Sequence, residues 1–422
     1  MPTINRVCEY LEAFTLEKES QLSLVDKKTM KTCIERLNLG EISANLFINE
    51  FWTSRQRQTA SIQEISYRAC FKPQLPRFFI ELLTKPGETV YDPFAGRGTT
   101  ALEAALLGRN PVSNDINPLS KILTEPRLYP PSINDIRKRL FEMPFRDVDN
   151  EDIDLSMFYH PQTETELLAL RNYLIERQNN KTADATDRWI RMVATNRLTG
   201  HSKGFFSVYT MPPNQAVSAE RQKKINTKRN QKPEYRNVRT LIIRKSTQLL
   251  RNLTAAELNR LLEAAAKAVF LEKDASETRE IPAESISLTV TSPPFLDIVQ
   301  YSTDNWLRCW FNNINMQEIE KKLIMASSLR DWALVMRLVF KELYRITRPG
   351  GWVAFEVGEV RSGKINLEDT IIPLGLQRGF ECAGVVVNRQ DFTKTSNIWG
   401  IKNNRSGTNS NRIVLFRKPG HF

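Results

Sequence analysis

Three histidines and five cysteines are spread thinly over 422 residues, and no two cysteines stand in C-x-x-C spacing. That excludes a zinc ribbon and a disulfide framework, and no metal site is expected. The isolated Cys8, Cys33, Cys70, Cys309 and Cys382 fit a reducing cytoplasm, the expected location. No apolar run approaches the roughly 18 residues that a membrane span needs, so no membrane association is expected. The first twelve residues carry no basic patch ahead of an apolar stretch, so no secretory signal is read there. Acids are scarce in one place above all. Between Arg221 and Arg251, eleven Lys or Arg face the single acid Glu234, a local excess of +10 in a chain of net charge +12. Such concentration points to a polyanionic partner, and the interleaved Asn, Gln and Thr side chains suit phosphate and base-edge contacts.

At about 100 to 200 residues per domain, this length predicts two or three domains. Residues 1–65 read as a helical region, with apolar positions at helical spacing from Arg6 to Phe14 and from Met30 to Phe51. A helix over Pro73 to Thr84 is stopped by Lys85-Pro86-Gly87. A strand over Thr89 to Asp92, a glycine turn, a helix over Thr99 to Leu107 capped by Gly108, and a strand over Pro111 to Asp115 then open a parallel α/β sheet. The rhythm stops over 121–284, where Thr163-x-x-Glu166 and Thr254-x-x-Glu257 have the form of capping boxes ahead of helices. It resumes with a strand over Ile286 to Val290, a helix over Asp331 to Thr347, and strands over Trp352 to Val357, Cys382 to Val387 and Arg412 to Arg417. The expected fold is α/β: a Rossmann-like sheet from 66–120 and 285–418, interrupted by a large, mainly helical insertion over 121–284.

Two constellations carry chemistry. In Asp92-Pro93-Phe94-Ala95-Gly96-Arg97-Gly98-Thr99-Thr100 the glycines let the backbone turn tightly at a strand end, and the next helix offers unpaired N–H groups. Neither a G-K-[ST] ending nor a third dinucleotide glycine is present, so a phosphate loop and a dinucleotide fingerprint are excluded. Asp115, at the tip of the next strand, suits ribose hydroxyls. The second constellation, Thr291-Ser292-Pro293-Pro294-Phe295, follows a strand directly. Its prolines fix the backbone and leave carbonyl acceptors beside the Ser292 hydroxyl and an aromatic face at Phe295.

Together, these two motifs resemble those of the S-adenosylmethionine-dependent DNA amino-methyltransferases, the N4-cytosine and N6-adenine group. The resemblance extends to Phe71-Lys72-Pro73-x-Leu75-Pro76, to Arg348-Pro349-Gly350-Gly351-Trp352 and to the stretch from Asn409 to Lys418. It implies a methyltransferase sheet that binds S-adenosyl-L-methionine through Phe71, Asp92, Phe94, Ala95, Gly96, Gly98, Thr99, Thr100 and Asp115. It implies catalysis by Ser292, Pro293, Pro294 and Phe295 on a base turned out of the duplex. A serine at the head of the tetrapeptide is the family's usual choice for cytosine N4, whereas Asp or Asn heads most adenine enzymes. C5 methylation is disfavoured, since no Pro-Cys pair occurs.

The expected activity is therefore site-specific methylation of cytosine N4 in double-stranded DNA, with a cognate restriction endonuclease acting separately. Adenine N6 or an RNA amino group is the alternative target, and a non-catalytic nucleic-acid-binding protein the remaining one. DNA contacts are expected from Lys223, Lys224, Lys228, Arg229 and Arg236 in the insertion, helped by the loop from Asn397 to Asn411.

Overall fold

The computed structural model describes residues 1–16, 31–53, 60–67, 70–144, 153–211, 216–294, 301–322, 328–357, 359–360, 365–389 and 410–420. The strands are β1 (Cys33–Leu39), β2 (Ile42–Asn49), β3 (Thr89–Asp92), β4 (Asn110–Asn114), β5 (Val269–Leu271), β6 (Ile286–Thr291), β7 (Thr347–Val357), β8 (Glu359–Val360), β9 (Ile365–Asn366), β10 (Glu381–Arg389) and β11 (Ser410–Arg417). Among the described residues, all but β8 and β9 join one sheet of order β1-β2-β10-β11-β7-β6-β3-β4-β5. From β5 to β7 the neighbours are parallel, and β11 is antiparallel to both β7 and β10. The chain runs outward from β3 through β4 to β5, then crosses back to β6 and β7 on the other side of β3. This reversal makes a topological switch point between β3 and β6, where open α/β sheets leave a crevice beyond their strand tips. The Rossmann-like sheet is thus as expected, and residues on both sides of the insertion build it.

Alternation along the strands divides the core. Val90, Leu288, Val290, Trp352 and Ala354 face the helices Ile4–Glu12 and Gln74–Leu83 through Val7, Leu11, Leu75 and Phe79. Tyr91, Val353, Phe355, Val385 and Phe416 face Trp332, Met336, Phe340 and Leu343 of the helix Leu329–Ile346. Full burial of a side chain such as Phe340 is worth about 1.5 to 3 kcal/mol, so these faces hold the strand tips in register.

The insertion forms the helices Ile133–Glu142, Pro161–Asn179, Ala185–Thr195, Ala219–Arg229, Val238–Leu250 and Ala255–Ala265. Its buried Leu140, Leu170, Trp189, Ile190, Ile242 and Leu261 share one core with Leu102, Ala105 and Leu106 of the helix Thr99–Leu106. The insertion therefore packs on the helix that follows the glycine turn.

Three elements differ from the sequence reading. Residues 33–49 form the hairpin β1-β2 where a helix was expected; Gly40, at φ +65°, makes its tight turn, and β2 pairs with β10 in parallel. Pairing with an otherwise open sheet edge overrides helical spacing. The sheet resumes at β5, within the stretch assigned to the insertion, because a three-residue strand is too short to show a period. Thr163 and Glu166 make no capping box. His160 caps that helix, Thr163 accepts from the Arg236 N–H at 2.9 Å, and Glu166 accepts from the Val238 N–H at 2.8 Å. The box at Thr254 and Glu257 does form.

Candidate active site

Strand β3 ends on Asp92, whose Oδ1 accepts the Phe94 N–H at 3.1 Å and so starts the turn. The Ala95 N–H donates to the Asn114 carbonyl at 3.0 Å, tying the turn to β4. Gly96 and Gly98 adopt φ +53° and +73°, a region that side chains other than glycine rarely enter. A Cβ on Gly98 would stand 2.2 Å from Thr124 Oγ1, so glycine is required there for space as well as conformation. Arg127, fully buried, donates to the carbonyls of Leu123, Ile62 and Arg97 and pins the turn from behind. Asp115 accepts from the Gly96 N–H at 2.8 Å and the Asn117 N–H at 2.9 Å, so the acid and the glycine turn line one edge.

The second motif meets the first. Thr291, the last residue of β6, donates its hydroxyl to Asp92 Oδ1 at 2.7 Å, and Thr100 Oγ1 donates to the Val290 carbonyl at 3.2 Å. Two stretches about 200 positions apart in sequence are thereby joined at the switch point. The next residue, Ser292, is half-buried, and its hydroxyl hydrogen-bonds the buried carboxyl of Glu356 on β7. Asn411 Nδ2 donates to the same carboxyl at 2.5 Å. The indole of Trp332 donates to the Pro294 carbonyl at 2.9 Å and fixes the far end of the prolines. Phe295 lies outside the described residues, as do positions 397–409 of the loop expected to assist.

Three carboxyls at this end of the sheet hold their protons more tightly than usual. Burial pushes Asp92 up to about 7, partly offset by hydrogen bonds from Thr291 and the Phe94 N–H. Burial likewise raises Asp115 to about 6 against the Asn117 and Gly96 N–H groups, and Glu356 to about 7 against Asn411 and Ser292. A cation in the crevice would favour their ionised forms.

The structure brings Asp92, Ala95, Gly96, Gly98, Thr99, Thr100 and Asp115 together with Ser292, Pro293 and Pro294. Phe94 and Phe71 pack on opposite faces of the sheet. Glu356 and Trp332 were missed in the sequence, where an acid in an apolar strand and an indole in an amphipathic helix give no local signal, and Asn411 was expected in an assisting loop rather than on Glu356.

The expected DNA-contacting residues fare differently. Lys224 and Lys228 are exposed on the helix Ala219–Arg229, Lys223 reaches Asp154 at 3.4 Å, and Arg229 stacks on Tyr209 with 3.8 Å to the ring centre. Arg236 is placed differently from Lys224 and Lys228. Its guanidinium is half-buried, and its Nη1 donates to the carbonyls of Ser202, Phe205 and Ser207, which ties it to that loop. Among the described residues, no cluster of His, Cys, Asp and Glu is placed to hold a metal, and no helix is long and apolar enough to cross a membrane.

Parts of the chain are similar to known proteins. Residues 12–124 match the N6/N4 methyltransferase family, described as DNA methylase. The chain is 31% identical over 91 residues to the type II methyltransferase M.MjaII of Methanocaldococcus jannaschii, covering 21% of this chain and 17% of that protein. It is 41% identical over 66 residues to the type II methyltransferase M.BsoBI of Geobacillus stearothermophilus, covering 15% and 13%. The chain thus spans less than a fifth of the length of either relative. The structure is also similar to TTHA0409 of Thermus thermophilus, a candidate DNA modification methylase solved with S-adenosyl-L-methionine, at 22% identity and a TM-score of 0.22 over 35% of this chain and 54% of that one. Over residues 12–124, which include the glycine turn, the chain is similar to the N6/N4 DNA methylase family.

Proposed function

We propose that this protein transfers a methyl group from S-adenosyl-L-methionine to the N4 amino group of a cytosine turned out of double-stranded DNA, as the modifying half of a restriction-modification pair. The observation that carries the reading is the junction of Thr291 with Asp92, which sets Ser292 beside the glycine turn with its hydroxyl already committed to Glu356. The donor set fits the cofactor: Asp115 offers a carboxylate for ribose hydroxyls, Gly96 and Gly98 allow close backbone approach, and elevated carboxyls welcome a positive charge. When bound, S-adenosyl-L-methionine supplies an electrophilic methyl on a sulfonium.

An aryl amine is a poor nucleophile because its lone pair is delocalised into the ring. The Ser292 hydroxyl donates a hydrogen bond to Glu356, which leaves its oxygen lone pairs to accept an N4–H. The Pro293 carbonyl accepts the other, and the two acceptors pyramidalise the nitrogen and aim its lone pair. The new N–CH3 bond forms as the S–CH3 bond breaks, and the surplus N4 proton leaves through Ser292 to Glu356. Orientation and preorganised dipoles supply most of the acceleration. Unstacking the cytosine costs a few kcal/mol, offset in part by stacking on Phe295, worth about 1 to 3 kcal/mol.

Incubation with methyl-labelled S-adenosyl-L-methionine and duplex DNA or RNA, followed by nucleoside analysis, tests the reading. N4-methylcytosine from duplex DNA is expected. N6-methyladenine or a labelled ribonucleoside replaces the target, and no transfer to any nucleic acid overturns the enzyme.

A further inference from the structure

The insertion carries a second polar cleft, of about 370 Å³, apart from the glycine turn and the tetrapeptide. Arg197, Arg244 and Lys245 line it together with Ser202, Phe205 and Glu64. Arg197 and Lys245 are only 8% and 6% exposed, and Arg244 stands at the rim. The guanidinium of Arg197 is held by the Asn196 carbonyl at 2.9 Å and by Asn196 Oδ1 at 3.1 Å, and lies 4.0 Å over the Phe205 ring. Lys245 donates to Gln248 Oε1 at 3.2 Å, and Arg244 to the Lys203 carbonyl at 3.1 Å. All of these partners are neutral. The one carboxylate in the lining, Glu64, is engaged by Arg251 at 2.9 Å. Burial and then the charges of Arg308 and Arg244 disfavour the Arg197 cation; burial and then Arg197 and Arg251 disfavour that of Lys245, which Glu64 offsets in part. Buried cations whose hydrogen-bond acceptors among the described residues are neutral bear a desolvation cost that Glu64 offsets only in part, and an anion placed among them reduces it further.

We infer that this cleft is a phosphate site, occupied by a backbone phosphodiester of the DNA strand whose base enters the active site. Its placement argues for the strand rather than a free anion. Ser66 lines the cleft, while the ring of its neighbour Tyr67 stands 3.5 Å from where a Gly96 side chain would begin, and Arg97 in the glycine turn donates to the Ile65 carbonyl at 2.8 Å. One short segment therefore forms a wall of both the cleft and the crevice. Arg244 and Lys245 also continue the basic stretch that begins on the helix Ala219–Arg229. A phosphate with several acceptor oxygens matches the two guanidinium groups and the ammonium that line the cleft.

The inference rests on the proposed function, and two measurements separate their failures. The first is binding of a fluorescent duplex as a function of KCl, for the wild type, Arg244→Gln, and Arg244→Gln with Lys245→Met. The second is the shift in melting temperature caused by inorganic phosphate relative to chloride at equal ionic strength. Arg244 is exposed, so its variant folds. Replacing Lys245 removes a buried cation and costs little stability. The double variant is expected to bind duplex at least tenfold more weakly and to show a log–log salt slope shallower by about 1 to 2, as for one or two lost contacts. It is also expected to lose the phosphate shift of the wild type. An unchanged salt slope overturns the strand as occupant, and if the phosphate shift persists in the wild type alone the cleft takes a free anion instead. No phosphate shift and no change in slope overturn the site altogether. A wild type that shifts with phosphate but binds no duplex overturns both the strand and the proposed function, leaving the cationic site itself standing.

Discussion

At the scale of single residues, Ser292 and Glu356 form a hydroxyl–carboxyl pair whose protonation sets the acceptor strength of the serine. Glu356 has its proton affinity raised to about 7 by burial, so at lower pH it is neutral and accepts less strongly. The methyl-transfer rate at saturating substrate is therefore expected to rise with pH through an inflection near 7, and Glu356→Gln is expected to lower turnover about 10²-fold and abolish that inflection. A pH profile unchanged by the substitution would detach Glu356 from the chemistry. Ser292→Ala is expected to lower turnover to a similar extent with cofactor affinity nearly unaltered, read by single-turnover rates and calorimetry. Equal loss of both would make the tetrapeptide a structural turn. Asp92 has the opposite relation to stability. Its folded-state value, near 7, lies above the ordinary carboxyl value, so the folded protein binds the extra proton. Its unfavourable contribution is absent below about pH 4 and grows as pH rises to about 7, at about 1.4 kcal/mol for each unit of elevation. Asp92→Asn is expected to gain melting temperature relative to wild type at pH 8 and to lose that advantage at pH 5.

Among elements, the glycine turn and the basic helix make contrasting predictions. Gly98→Ala forces a left-handed backbone on alanine and drives its Cβ into Thr124. A loss of about 1 to 3 kcal/mol in unfolding free energy is expected, together with weaker cofactor binding. Adding Thr124→Ala would relieve the clash but not the backbone strain, so denaturant titration should recover only part of the loss. The helix Ala219–Arg229 buries one residue, Gln222, which donates to the Tyr209 carbonyl at 3.1 Å. A polar anchor leaves Lys224 and Lys228 turned to solvent, and their replacement by Gln is expected to weaken duplex binding with little change in melting temperature. Arg236→Gln is expected to do the reverse, because its three carbonyl acceptors would lose a buried donor.

Over the whole molecule, one sheet gathers what the chain separates. The strand β6 is buried throughout and β7 nearly so, and both are apolar enough to be found from composition. The helix Leu329–Ile346 shows an apolar face at Trp332, Met336, Val339, Phe340 and Leu343 that its sequence spacing already displays. The hairpin β1-β2 is different. Its residues are compatible with helix or strand locally, and the parallel ladder with β10 decides between them. The short β5 exists only because β4 offers it an edge.

Local chemistry in the chain determined the glycine turn, the rigid prolines after β6, the acid at the β4 tip and the concentration of cations between 221 and 251. Each of these is a feature of neighbouring residues, where spacing and side-chain type are sufficient. Only tertiary structure decided which cations remain available. Arg236 is tied to a loop of the insertion through its Nη1, and Arg197, from outside the basic stretch, comes to line one cleft with Arg244 and Lys245. Folding likewise set Glu356 against Ser292, because two parallel strands, distant in sequence, end at the same edge of the sheet. Proximity across a sheet follows from strand order and register, and neither is written in the spacing of any one segment.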